Sequence, residues 1–196
     1  MSATPTTTNS FLTIVSGLPR SGTSMMMRML ETGGLPVMTD HIRTADDDNP
    51  NGYYEFEAVK RTKQDARWLQ DSPGKAVKMV YCLLYDLPAD RSYRVLFMRR
   101  NLEEVLASQR RMLARKGVAN TPEQDAQMEA LFRRELAAFY NWVATQSHIQ
   151  MIDVDYNRIQ AEPLLELTRV RDFLGGTVDL RLMAKVVDSN LYRNRA

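Results

Sequence analysis

The chain has 196 residues, of which 44% are apolar and 26% charged, and its formal net charge is +2. This composition is typical of a globular protein with a full core, and so small a charge does not by itself indicate binding to nucleic acid or to a membrane. The one cysteine, Cys82, excludes an internal disulfide framework and favours a reducing, cytoplasmic compartment; its apolar neighbours predict a buried thiol.

The composition along the chain divides it into two segments. Residues 1–10 are polar and rich in threonine, and they lack the basic and apolar regions of a signal peptide, so we expect a short disordered tail. We expect residues 11–196 to form one domain, and no apolar run in it is long enough to span a membrane.

The first predicted elements are a strand over residues 12–16 and a helix over residues 24–31, which ends at the glycines Gly33 and Gly34. Between them lies the loop 17–24, Gly-Leu-Pro-Arg-Ser-Gly-Thr-Ser. A glycine-bounded loop between a strand and a helix directs backbone N–H groups and the helix dipole at one spot, so it favours an oxyanion such as a phosphate. The alternative is an ordinary strand-to-helix turn with Ser24 near the cap position.

The position of the cation in this loop separates two kinds of group transfer. The glycine spacing matches the phosphate-binding loop of nucleoside triphosphatases, but Thr23 stands where those proteins have a lysine, and the cation is Arg20 instead. A kinase would also need an acidic strand end to hold Mg²⁺, whereas the strand predicted at residues 94–98 runs into two arginines. A nucleoside-triphosphate phosphotransferase is therefore only an alternative.

A long polar connection, residues 36–52, follows the first helix and holds Asp46, Asp47 and Asp48. Loops of this length in compact domains are usually functional or mobile. Consecutive carboxylates rarely converge on one ion, so we interpret these three as a solvated acidic loop and expect no metal site.

The rest of the chain alternates between predicted strands and helices. We expect strands at 76–80, 94–98 and 148–154, and helices at 57–70, 101–117, 121–146, 163–173 and 180–187. Asn101 is a predicted N-cap, with Glu104 as its capping-box partner. The alternation predicts a three-layer α/β fold, with a central parallel sheet covered by helices on both faces and ligands bound beyond the carboxyl ends of its strands.

A second phosphate site is predicted at the end of the strand 94–98. Arg100 leaves that strand just before the capped helix, and Ser108 lies about two turns along it. A guanidinium and a hydroxyl in this arrangement can hold a phosphate distinct from the one in the first loop. The alternative is a solvated arginine at a strand end and a serine on the core side.

Together the two stretches resemble the sulfotransferase family, whose enzymes use 3′-phosphoadenosine 5′-phosphosulfate (PAPS). The loop resembles the family's 5′-phosphosulfate loop, where lysine is more usual at position 20, and the family's 3′-phosphate motif is matched by Arg100, Asn101 and Ser108. Residues 46–59 and 191–195 look like a compact bacterial branch of the family. The resemblance implies a three-layer fold of the phosphate-loop class and a nucleotide site formed by Pro19, Arg20, Ser21, Gly22, Thr23, Ser24, Arg100, Ser108 and Tyr156, with Arg193 and Arg195 in place of a late basic segment of the family.

Catalysis by such a chain needs a cation at the leaving oxygen and a base for the acceptor. Arg20 is our candidate cation, and a lysine in the strand corresponding to Lys78 contacts that oxygen in the family. The family's cytosolic members have a histidine base two residues later, where this chain has Val80. The remaining candidate bases lie in or near the long connection: Glu55, which we favour, then Glu57 and His41.

The resemblance thus implies sulfuryl transfer from PAPS, without a metal, to a hydroxyl or amine of a small molecule, glycan or lipid. We expect no nucleic-acid partner, and a homodimer is an open alternative to a monomer. Because position 80 lacks the histidine, a non-catalytic module that binds PAP, the desulfated nucleotide, or another phosphorylated ligand is a second alternative.

Overall fold

The centre of the molecule is a parallel sheet of five strands. The computed structural model describes residues 10–46 and 52–187, and within these its strands are β1 (Phe11–Gly17), β2 (Val37–Met38), β3 (Ala76–Lys78), β4 (Ser92–Arg99) and β5 (Ile149–Asp155). Their spatial order is β2-β3-β1-β4-β5. All seven residues of β1 are buried, as expected for a central parallel strand covered on both faces.

The register of the sheet brings the functional segments to one edge. Val15 pairs with Lys78 on one side of β1 and with Leu96 on the other, and Gly17 pairs with Met98. Since the strands are parallel, the loop after β1, the end of β3 and the residues after β4 all lie at the carboxyl edge of the sheet.

In the described part of the chain, six α-helices surround the sheet: α1 (Thr23–Thr32), α2 (Leu102–Arg115), α3 (Pro122–Val143), α4 (Tyr156–Ala161), α5 (Pro163–Phe173) and α6 (Leu180–Ala184). Two of the predicted N-caps are confirmed. The Asn101 side chain accepts from the backbone N–H of Glu103 at 2.9 Å, and Thr121 forms a reciprocal capping box with Gln124.

The helices form a layer on each face of the sheet. Helices α1, α4, α5 and α6 pack on the face that carries Leu96, Met98 and Val154. Helix α3 and three 3₁₀ helices cover the other face, where Phe97 stacks on Phe139 with ring centroids 5.1 Å apart. Helix α2 packs against α3 and Leu18. The predicted three-layer α/β fold with a central parallel sheet is confirmed.

Several local predictions differ from the structure. The helix predicted at 57–70 is two 3₁₀ helices, Glu57–Arg61 and Arg67–Asp71, and a third, Tyr81–Asp86, follows β3. The short strand β2 lies within the connection predicted to be irregular. Cys82 is exposed, because the 3₁₀ helix that carries it turns the side chain away from the core.

Parts of the sequence predictions lie outside the described residues: the tail 1–9, Asp47, Asp48, Arg193 and Arg195. Within the described ranges, no helix is both long and apolar enough to cross a lipid bilayer.

Candidate functional site

The loop between β1 and α1 is shaped by two glycines in tight surroundings. A Cβ on Gly17 would lie 2.7 Å from the carbonyl oxygen of Met98, and one on Gly22 would lie 2.4 Å from the ring of Tyr156. Gly22 is also the N-cap of α1 and has a left-handed backbone with φ 99. The Ser21 hydroxyl closes the turn by donating to the carbonyl of Leu18 at 2.7 Å. The two glycines thus let the loop fold closely against Met98 and Tyr156, with the amino end of α1 directly after it.

The predicted phosphate residues converge from three elements. The Arg20 guanidinium donates from Nε to the Ser108 hydroxyl on α2 at 2.9 Å. Arg100, at the end of β4, donates to the backbone carbonyl of Arg20 at 3.2 Å. Ser108 itself is buried. The loop and the Arg100–Ser108 segment therefore lie on the same side of the sheet edge, as two sites for one bisphosphorylated nucleotide require.

Arg100 is held in a buried network. Its Nε donates to Glu104 at 2.8 Å, and the two side chains are only 7% and 3% exposed. The Asn157 amide donates to the other Glu104 oxygen at 2.9 Å, and the Arg100 guanidinium lies 4.4 Å from the centroid of the Tyr156 ring. A buried charge pair is tolerated only with such additional partners, so Arg100 is fixed in orientation.

Glu104 and Asn157 are site residues that the sequence reasoning missed. Glu104 was expected as the capping-box partner of Asn101, but its carboxylate binds Arg100 and Asn157 instead. The i,i+4 spacing of Arg100 and Glu104 is a signal that could have found this pair.

Lys78 lies at the carboxyl end of β3, beside the first turn of α1. Its ammonium donates to the backbone carbonyl of Tyr53 and lies 3.5 Å from the Ser24 hydroxyl. Ser24 donates to the same carbonyl at 3.2 Å. Burial lowers the pKa of Lys78 to about 8, so the group is able to change protonation state close to neutral pH.

The three candidate bases occupy different surroundings. The Glu55 carboxylate pairs with Arg43 at 3.0 Å, and its charge acts to raise the pKa of Lys78, which places it on the Lys78 side of the site. Glu57 instead pairs with Lys60 on the surface, where both side chains are at least half exposed. His41 lies in an exposed loop. Of the three, Glu55 is the one whose charge acts on Lys78, and its role as base stays a prediction.

Backbone strain is concentrated in the same segments. Among the described residues, the non-glycine residues with positive φ are Arg20 at 69°, His41 at 56° and Tyr54 at 51°. One lies in the phosphate loop and two lie in the connection that carries the candidate bases. Such conformations cost free energy and tend to cluster at functional sites. Within residues 10–46 and 52–187, no three histidine, cysteine or acidic side chains are grouped so as to hold a metal ion.

No protein-family model matches the chain, and none of the curated proteins matches it either. Its fold is similar to a solved structure, the sulfotransferase domain from the curacin biosynthetic pathway. The two share 17% sequence identity with a TM-score of 0.53, over 88% of this chain and 76% of that one. The chain therefore has a fold similar to that of this sulfotransferase domain.

Proposed function

We propose that this protein is a sulfotransferase that moves a sulfuryl group from PAPS to a hydroxyl or amine of an acceptor. The observation that carries the proposal is the convergence of Arg20, Ser108 and Arg100, through contacts of 2.9 Å and 3.2 Å, at the carboxyl edge of the sheet. A guanidinium beside a hydroxyl, next to a helix N-terminus, fits the two phosphate groups of an adenosine 3′,5′-bisphosphate.

The residues present suit the donor. Gly17 and Gly22 let the loop pack closely against Met98 and Tyr156, and the first turn of α1 offers backbone N–H groups to a phosphosulfate. Residues 19–24 would hold the 5′-phosphosulfate, Arg100 and Ser108 the 3′-phosphate, and Tyr156 would lie near the adenine; we assign Arg193 and Arg195 to the 3′-phosphate as well. When bound, PAPS supplies the activated sulfuryl group.

Each residue then has a definite task. In a loose transition state negative charge grows on the bridging oxygen of the departing nucleotide, and a fixed cation stabilises it. Arg20 supplies a permanent charge, and Lys78 supplies a proton donor whose pKa of about 8 suits that use. Glu55 would accept the proton of the acceptor group. The acceptor in this proposal is a small molecule, a glycan or a lipid headgroup.

Ligand-induced stabilisation separates the proposal from its rivals. At 100-fold over Kd a ligand adds about 2.7 kcal/mol, which a thermal-shift assay detects readily. We expect PAP to stabilise the protein more than ADP with Mg²⁺. The reverse order would favour a kinase. PAP binding without turnover over a broad acceptor panel would favour the non-catalytic module, for which the exposed Val80 at the position of the family's base is the supporting observation.

Arg20 is the most direct test of the chemistry. Because it is the assigned cation at the leaving oxygen, Arg20→Ala should lower the turnover of PAPS by ~10³-fold, whereas Arg20→Lys should retain most of it. Arg171→Ala is a matched control, since that arginine pairs with the adjacent Asp172 on α5, away from the sheet edge. Formation of PAP is followed by chromatography, and full activity in Arg20→Ala would contradict the proposed function.

A further inference from the structure

We infer that Arg43 is a positioning residue that holds the carboxylate of Glu55 for catalysis on the acceptor side of the site. This inference rests on the proposed function, because it takes Glu55 as the base of the transfer. It is carried by a set of contacts in the segments 39–46 and 52–57.

Arg43 and Glu55 make a direct, ordered contact. Nη1 of Arg43 donates to Oε1 of Glu55 at 3.0 Å. The same guanidinium lies over the Tyr53 ring, with its central carbon 3.3 Å from the ring centroid. A guanidinium held by an aromatic face is restricted in orientation, and it passes that restriction to the carboxylate that it binds.

Tyr53 links this pair to the donor side. Its ring is buried, and its hydroxyl donates to Asp46 at 2.5 Å. Its backbone carbonyl accepts from Lys78, whose ammonium lies 5.9 Å from the ring centroid. One fixed residue thus contacts both Arg43, which binds the candidate base, and Lys78, which we place at the leaving oxygen.

The main chain around the pair is also fixed. The carbonyl of Glu55 accepts from the backbone N–H of Asp40 at 3.0 Å and from the Thr39 hydroxyl at 3.1 Å. Tyr54, directly before Glu55, and His41, two residues before Arg43, both have left-handed backbones. The bends lie beside Arg43 and Glu55, whose side chains are twelve residues apart in sequence and face each other. The strain of the two bends must be offset by contacts such as this one.

The assigned chemistry uses the two carboxylate oxygens differently. Arg43 binds Oε1, and we assign Oε2 to the proton of the acceptor hydroxyl. As that proton moves to Glu55, the acceptor oxygen forms a bond to sulfur while the bond from sulfur to the bridging oxygen breaks and PAP departs. A carboxylate that rotates freely would spend little time in this geometry, so the loss of Arg43 should lower the rate of transfer.

A double-mutant cycle tests whether Arg43 acts through Glu55. The variants are Arg43→Met, Glu55→Gln and both together, and PAPS turnover is measured with the best acceptor of a panel, or with water. We expect Arg43→Met to lower kcat by ~30-fold with an unchanged Kd for PAP, and Arg43→Lys to restore part of the rate. In the Glu55→Gln background, Arg43→Met should have less than a ~2-fold further effect.

Arg67→Met is the matched control, because it breaks an exposed arginine–carboxylate pair, that with Asp65, which has no role in the proposed site, and it should leave kcat unchanged. Equal effects of Arg43→Met in both backgrounds, or a loss of PAP affinity in place of kcat, would overturn the inference. A wild-type protein that binds no PAP would overturn the proposed function instead. A crystal structure of Arg43→Met tests the inference separately from the proposed function. We expect the Glu55 carboxylate to be displaced in it, and an unmoved carboxylate contradicts the role of Arg43 whether or not PAP binds.

Discussion

The proposed donor side of the site, around Arg20 and Arg100, and the proposed acceptor side, around Arg43 and Glu55, are built differently. On the donor side, the Arg100–Glu104 pair is buried, with side chains 7% and 3% exposed, and it is tied to the loop backbone. On the acceptor side, the Arg43–Glu55 pair is 42% and 26% exposed and belongs to a connection without regular helices. Removing one partner of a buried pair destabilises a protein strongly, whereas half-exposed pairs contribute little to stability.

This contrast indicates how the two sides of the site tolerate substitutions. The donor side cannot be altered without disturbing the sheet edge, because its anion site consists of backbone, glycines and a buried charge network. The acceptor side can be altered at small cost in folding free energy. Mutations of the loop glycines and of the buried charge network should therefore change binding and stability together, and mutations of the Arg43–Glu55 pair should change the rate alone.

Gly22→Ala should give the largest effect. The new Cβ would lie 2.4 Å from the Tyr156 ring, and the backbone at φ 99 disfavours any side chain. We expect a loss of ~3 kcal/mol in the free energy of unfolding, and PAP binding at least ~100-fold weaker, because the donors at the start of α1 are displaced. Chemical denaturation and calorimetry measure the two quantities.

Gly34→Ala is the control for this substitution. Gly34 has a similar φ of +95, but no atom lies within 4 Å of its added Cβ. It should cost only the backbone strain, ~1 kcal/mol, and leave PAP affinity unchanged. If Gly22→Ala behaves like Gly34→Ala, the tight approach of Tyr156 to the loop is not what shapes the anion site.

Lys78→Met should separate function from stability. A charged Lys78 lowers the free energy of unfolding, since burial lowers its pKa from 10.5 to about 8. We expect the variant to lose ~100-fold or more in kcat and to gain ~3 °C in Tm at pH 7, because a buried charge is replaced by an apolar side chain of similar length. A variant that is both slower and less stable would mean that the hydrogen bond to Tyr53 outweighs the cost of burial.

The pH dependence of the wild-type protein gives a second test of Lys78. Between pH about 8 and 10.5 the unfolded state binds more protons than the folded state, so the free energy of unfolding should rise with pH over that window. Transfer should fall as pH passes about 8, where the ammonium loses its proton. Neither the rise in stability nor this fall in rate should appear in Lys78→Met.

The sequence predicts the local structure around the first loop and the end of β4 well, because backbone chemistry determines it. Gly17 and Gly22, the Asn101 cap and the apolar strands are local signals, and each lies within a few residues of what it specifies. Parallel strands then bring the ends of β1 and β4 together without further information.

The structure of the acceptor side depends on contacts that no local sequence pattern predicts. Arg43 contacts Glu55 in a segment where His41 and Tyr54 adopt left-handed backbones; a tyrosine gives no signal for such a bend, and a histidine gives only a weak one. The 3₁₀ helices after Phe56 likewise replace a predicted α-helix. Phe56 packs against Trp68 with ring centroids 5.9 Å apart, a contact that one continuous α-helix between these residues would not allow.

Ser108→Ala has the smallest expected effect and tests the donor side most specifically. Its hydroxyl accepts from Arg20 at 2.9 Å, and we assign it to the 3′-phosphate. The variant should bind PAP ~10-fold more weakly, as expected for the loss of one hydrogen bond to a charged group, and should bind AMP, which lacks the 3′-phosphate, as the wild type does.

Ser72→Ala is the matched control: that serine is also buried and donates to a backbone carbonyl, that of Leu69. An unchanged ratio of PAP to AMP affinity would refute the second phosphate site, since the donor would then be recognised without its 3′-phosphate and the convergence of Arg20 on Ser108 would only stabilise the loop.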